Sequence, residues 1–274
     1  MLILAGLIAL VATLVAIVWL IGASEPVQRL GVASPAWFVM LKGGEVPSLA
    51  PGVRLRWRSR IDAPMIADEA YWDTCLILTG GAHDVEPLTL GSGTEDAYIA
   101  RIDLLAPPAL ALGVLRVLVT LGVLAKPKDA PVTDPATLGF RTDIMPTKAN
   151  TEALIARPAS YRPAMVNFLK YFETARYKDG RPSTGAEAYR RYGAVALQTV
   201  YRVGGTLQFY GRVRDVLREP DAGPTVGAWD DVAVMLYPNP VAIATMEQVP
   251  VYHAALHHRD AGLDRTVLLA SHLA

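Results

Sequence analysis

Ala164 to Tyr171 reads AMVNFLKY, a mainly apolar run of strand length with one polar interior residue, Asn167. The segments downstream of it set the fold class. Gly185 to Val203 (GAEAYRRYGAVALQTVYRV) places Tyr189, Tyr192, Val195, Ala196 and Val200 at helical spacing, and Gly204-Gly205 stops the pattern. Thr206 to Leu217 reads as a strand with an Arg-rich tail, followed by the breaker-rich loop EPDAGPTVGA. Trp229 to Tyr237 (WDDVAVMLY) is the next strand. Pro238-Asn239-Pro240 ends it and starts a helix that carries Val251 to Leu263 (VYHAALHHRDAGL). Asp264 to Leu273 is the last strand. The order β-α-β-β-α-β is a ferredoxin-like split unit, an α+β fold.

Upstream, the same landmarks recur. Ala36 to Lys42 (AWFVMLK) aligns with Ala164 to Lys170, and Trp72-Asp73 before CLILTGG aligns with Trp229-Asp230 before VAVMLYP. VRLRWRSR falls where a second strand belongs and DAYIARIDLL where a fourth belongs. The intervals are shorter by about the length of the crossover helices. The expectation is a degenerate repeat that has lost one or both helices and packs on the second sheet as an intrachain pseudo-dimer. The alternative is chance similarity of apolar strands, with a homodimer completing the barrel.

Two apolar runs frame the first half. Leu2 to Ala23 has no charge and no proline. As a helix it is roughly 30 Å long, enough for a bilayer core. Trp19 sits where an interfacial aromatic belongs. A cleaved signal peptide is the rival reading, but no Lys or Arg precedes the run. The second run, Leu104 to Ala125, carries Arg116 at its middle. A central Arg costs about 3 kcal/mol on insertion scales. The expectation is therefore a helix packed on the protein, on the bilayer surface or on a membrane partner, with Leu112, Leu115, Arg116 and Val119 as contact candidates. Arg54, Arg56, Arg58 and Arg60 recur at strand period close to the anchor, a basic face for anionic headgroups or an acidic partner. The chain thus divides into an anchor (1–24), a β-rich domain ending in an apolar helix (30–127), a linker with a lead-in helix (128–160) and the α+β domain (161–274).

Composition excludes several functions. The 274 residues carry a net charge of +0, which argues against nucleic acid as a partner. The single cysteine, Cys75, rules out an internal disulfide. No P-loop, G-x-S-x-G or C-x-x-C is present.

Asn167 in the first strand, Tyr189 and Tyr192 as a Tyr-x-x-Tyr helix, Gly204-Gly205, Trp229-Asp230, and Tyr252 followed by His258-Arg259 form a pattern. With IMPTKANTEALIA before it, the pattern resembles an uncharacterised bacterial domain family of the dimeric α/β-barrel superfamily, over residues 143–273. The resemblance implies a ferredoxin-like fold and face-to-face sheets, but no known reaction. Better-known superfamily members include quinol monooxygenases and haem-degrading monooxygenases. The resemblance therefore makes Asn167, Tyr189, Tyr192, Trp229, Tyr252, His258 and Arg259 ligand-pocket candidates.

His253 and His257 stand four apart and Asp260 falls on the same helix face, a metal-ligand spacing. Gly262 ends the helix there, and no secure further ligand follows, so no metal and no cofactor is expected. The functional expectation is a single-pass protein of the bacterial inner membrane, held in the bilayer through residues 2–23. The positive-inside rule places its body in the cytoplasm. Its role would be that of a non-catalytic accessory subunit docking on an integral-membrane complex. The alternative is a membrane-tethered cofactor-independent monooxygenase, or a binder of a hydrophobic aromatic such as quinone or haem.

Overall fold

The computed structural model describes residues 2–30, 35–44, 47–82, 85–127 and 132–274; the start of the expected linker, 128–131, lies outside the described residues. Helix α1 (Leu2–Ala23) leads through the short α2 (Pro26–Arg29) into β1 (Ala36–Gly43), β2 (Ser48–Leu49), β3 (Arg54–Ile66), β4 (Thr74–Thr79), β5 (Leu88–Thr89) and β6 (Thr94–Leu104). Then come α3 (Ala109–Thr120), α4 (Lys148–Ile155), β7 (Ala164–Tyr171), α5 (Gly185–Arg202), β8 (Thr206–Arg218), β9 (Asp231–Leu236), α6 (Val241–Thr245), α7 (Pro250–Gly262) and β10 (Leu263–Leu273).

Eight antiparallel strands close a barrel in the order β1-β4-β3-β10-β7-β9-β8-β6. Counted 1 to 4 along the chain, the long strands of each half lie in the order 4-1-3-2. Moving four places round the barrel carries β1 onto β7, β4 onto β9, β3 onto β8 and β6 onto β10. The matched strands have equal lengths: 8, 13, 6 and 11 residues for β1, β3, β4 and β6, and the same for β7, β8, β9 and β10.

Local bonding repeats with the lengths. Asp73 N donates to Leu41 O and Asp230 N donates to Leu169 O, both at 2.9 Å. Asp73 Oδ2 accepts from Gly43 N at 2.6 Å, and Asp230 Oδ2 accepts from Tyr171 N at 2.8 Å. The carbonyls of the same aspartates accept from Ile61 and Val213. Each aspartate therefore ties the start of one strand to the end of a second and the middle of a third. The seams between the halves are β3–β10 and β6–β8, so strands from the expected segments 30–127 and 161–274 share one barrel.

Strand alternation sends Phe38, Met40, Ile77, Tyr98, Val166, Phe168, Phe209 and Val234 to the barrel interior. Phe38 and Phe168, from opposite strands, meet edge to face at 5.1 Å. The outer face of the second half is covered by α5 and α7. Among the described residues no helix connects β1 to β3 or β4 to β6 in the first half. Its outer residues Trp37, Val39, Leu41, Leu76, Leu78, Ala97 and Ile99 form a cluster with Leu88 of β5, and Val53 and Leu90 pack against it. Each buried large apolar side chain contributes about 1.5–3 kcal/mol, so this cluster stabilises the outer face of the first half. The β2–β5 pair supplies part of that cover.

Two expected helices come out shorter. The helix after Pro238 is split into α6, a 3-10 turn and α7. Pro250 has no N–H and holds Val249 extended (ψ 114°), so α7 starts afresh with proline in its first turn. The apolar run at 104–125 forms only 12 residues of helix, α3, ending before Gly122 at φ 73°. At about 18 Å, α3 is too short to span a bilayer.

Candidate ligand-binding site

Because Val166 and Phe168 point into the barrel, Met165 and Asn167 of β7 point out toward the helices. Helix α5 begins with a reciprocal capping box, Thr184 with Glu187, and turns Tyr189, Tyr192, Ala196 and Val200 toward that face. Helix α7 contributes Tyr252, Leu256 and Arg259, which share one stripe at spacings of four and three. Together with Met235, Tyr237, Met246 and Glu247 they enclose a cavity of about 100 Å³.

Arg259 governs its electrostatics. It is 8% exposed. Its Nε and Nη2 donate to Ile144 O at 3.2 and 2.5 Å, and its Nη1 donates to Tyr192 OH at 3.3 Å. Tyr192 OH in turn bonds Tyr252 OH at 2.9 Å. Among the described residues no carboxylate lies within ion-pair distance of Arg259. A buried cation with only neutral partners carries an effective desolvation penalty of several kcal/mol. Glu247 also lines the cavity; its Oε2 is buried without a hydrogen-bond partner among the described residues, and burial pushes its carboxyl pKa up despite an opposing bond from Thr133. Burial likewise raises the Tyr189, Tyr237 and Tyr252 hydroxyls, so all three are neutral around pH 7.

Five of the seven pocket candidates meet here: Asn167, Tyr189, Tyr192, Tyr252 and Arg259. Asn167 is held by Nδ2, which donates to Met165 O at 3.0 Å and Ala233 O at 3.4 Å. The other two lie elsewhere. Trp229 fills the barrel interior, because it precedes an inward-facing strand start. His258 sits on the far side of α7, where its Nδ1 meets Tyr177 OH at 2.6 Å. Burial, with His257, Arg191 and Arg181 nearby, lowers the His258 pKa. Tyr237 and Glu247 carry no signal in the periodicity; they come after strand β9, where the proline-broken turn folds back over the cleft.

The metal spacing does not assemble. His253 is exposed, His257 Nδ1 lies 2.6 Å from Ala254 O, and Asp260 Oδ1 accepts from Arg141 N at 3.0 Å. Among the described residues no three His, Cys, Asp or Glu side chains cluster.

The membrane and partner candidates also separate. Helix α1 is long and apolar enough to cross a membrane by length and composition, and Trp19 on it is 51% exposed. Its last turns pack on α3 so closely that a Cβ on Gly113 would stand 1.8 Å from Val18 O. Leu112 is buried, and Leu115 and Val119 are partly buried and packed against the body. Arg116 turns inward too. It forms a bidentate pair with buried Glu25 (2.9 and 3.0 Å), which also accepts from Tyr201 OH at 2.8 Å. The helix periodicity that buries Leu112 exposes Leu110 and Val114, and Leu121 and Val123 beyond the helix are exposed as well. Of the basic strand, Arg54, Arg56 and Arg60 are exposed and Arg56 donates to Arg29 O in α2, whereas Arg58 is half-buried with Nε unpaired among the described residues.

Neither the family models nor the curated proteins include a match to this chain. Two solved structures are similar to part of it. One is a methylated RPA0582 protein, 32% identical, covering 48% of this chain and 94% of that chain with a TM-score of 0.43. The other is the RPA0582 protein of unknown function from Rhodopseudomonas palustris, 31% identical, covering 46% and 93% with a TM-score of 0.41.

Proposed function

We propose that this chain is a membrane-anchored, non-catalytic accessory subunit that docks on an integral-membrane protein complex. The observation that carries the reading is the pairing of α1 with α3. Their inward residues are locked to each other and to the body, while Leu110, Val114, Leu121 and Val123 stay exposed beside the exposed length of α1. A contiguous apolar surface of this kind marks a membrane or protein contact. The body is read as two ferredoxin-like units closed as an intrachain pseudo-dimer, a reading supported by the 4-1-3-2 order in each half. Exposed Arg54, Arg56 and Arg60 favour a cytoplasmic body facing anionic headgroups. A photo-crosslinking residue at Val114 or Leu121, activated in intact membranes, tests the reading. Adducts to one membrane protein in stoichiometric yield are expected, and adducts to lipid alone would overturn the docking role.

A second reading, ligand binding in the α5–α7 cleft, is favoured by the isolated Arg259. The cavity of about 100 Å³ is below the roughly 300–1,000 Å³ of sites for larger ligands, which weighs against haem or a quinone unless the cover opens.

A further inference from the structure

We propose that the cleft between β7, β9, α5 and α7 is a binding site for a small monocarboxylate, its carboxylate on Arg259 and its short apolar body against Ala196, Val200 and Met235. The inference rests on the ligand-binding reading of this cleft, narrows it, and is independent of how α1 and α3 are seated.

Hydrogen-bond accounting supports it. A guanidinium has five N–H groups, and here Nε, Nη1 and Nη2 each make one kind of contact, all to neutral oxygens. Each terminal nitrogen therefore retains a second N–H, and the planar fork of these two matches a carboxylate. Tyr192 and Tyr252 share one hydrogen bond between two hydroxyls, which leaves one hydroxyl hydrogen to offer a ligand oxygen. A bound monoanion would thus supply the missing countercharge and accept the unused donors together.

Size and lining narrow the ligand. A cavity of about 150 Å³ takes up a benzene-sized molecule, so a space of about 100 Å³ suits an acid of a few carbons. Met165, Met235, Met246, Leu256 and Leu268 line much of the remainder, and Arg259 is the one cation among the described lining residues, so a second charge finds no partner. A dicarboxylate or inorganic phosphate is a poor fit on both counts.

The test titrates acetate, propionate, butyrate, succinate and inorganic phosphate into the full chain in detergent, with calorimetry and thermal shift as readouts. Saturable binding of a monocarboxylate, at least tenfold tighter than succinate or phosphate, is expected. Ala196→Leu fills the cavity without touching Arg259 and should weaken binding at least tenfold while the protein stays folded. Arg259→Lys should do the same if it folds; Ala196→Leu decides the matter if it does not. Unchanged affinity in Ala196→Leu, or equal binding of phosphate, overturns the inference. Binding of a quinone or haem but of no monocarboxylate overturns it while leaving the ligand-binding reading standing, and no binding of any of them removes both.

Discussion

Trp72 and Trp229, the matched tryptophans of the two halves, donate their indole N–H groups to the same residue. Trp72 Nε1 reaches Thr225 Oγ1 at 3.0 Å and Trp229 Nε1 reaches Thr225 O at 2.7 Å. Thr225 is fully buried, so it joins both indoles inside the barrel. Thr225→Val keeps the shape, removes only the hydroxyl and strands Trp72 Nε1. A loss of about 1–3 kcal/mol in urea unfolding is expected. No change would mean that the shared contact contributes nothing.

Glu25, Arg116 and Tyr201 join the end of α1, α3 and α5 at one buried point. Arg116→Met leaves the Glu25 carboxylate buried and uncompensated. It should cost about 3–5 kcal/mol, and the double variant with Glu25→Gln should recover much of that. Thermal unfolding in detergent measures both, and additive losses would show that the pair is not coupled.

Asp96 crosses the β6–β8 seam. Its carboxylate accepts from Tyr71 OH at 2.7 Å, from Ala97 N at 2.7 Å, and from Asp221 N at 3.0 Å. Burial opposes the charge, but these bonds outweigh it and lower the pKa below its ordinary value. The stabilisation is therefore complete above the unfolded carboxyl pKa of about 4 and fades as pH falls through the lower folded value. Asp96→Asn should flatten the stability profile in that acid window. The same contact lifts the Tyr71 hydroxyl pKa to about 12, so its share is present below about 10 and is lost on the alkaline side.

Close helix approach makes Gly113 intolerant. A side chain there meets the Val18 carbonyl, whereas Gly6 has nothing within 4 Å. Gly113→Val should free α1 from α3 and open the intervening chain to protease, and Gly6→Ala should change neither.

Cys75 is fully buried, and burial pushes its thiol pKa up. It should resist maleimide in the folded protein and react only on unfolding, with a rate that reports barrel opening. Prompt labelling of native protein would contradict this packing.

The strands of the second half are visible in the sequence because their alternation and their Gly and Pro breakers agree. The first half is visible only by its match to the second. Its cover is not legible: Ser48–Leu49 and Leu88–Thr89 are two-residue strands, too short to have a period. The restart of α7 does carry a signal in Val249-Pro250, which the longer helical pattern masks. The candidate site is legible as a set of aromatic and polar positions. Its decisive property, Arg259 without a carboxylate, depends on residues distant in sequence and has no local trace. For the same reason Glu25, beside an apolar run, gives no sign that it neutralises Arg116 in another segment.

Closing the barrel within one chain changes how it assembles. Two subunits meeting face to face would form it in a second-order step, and dilution would weaken it. Here the seams β3–β10 and β6–β8 join parts of a single polypeptide, so the order of assembly is unimolecular. The unfolding midpoint should therefore not move with protein concentration. A single-chain barrel also carries one N-terminal apolar helix and one Arg259 cleft where a symmetric pair would carry two of each.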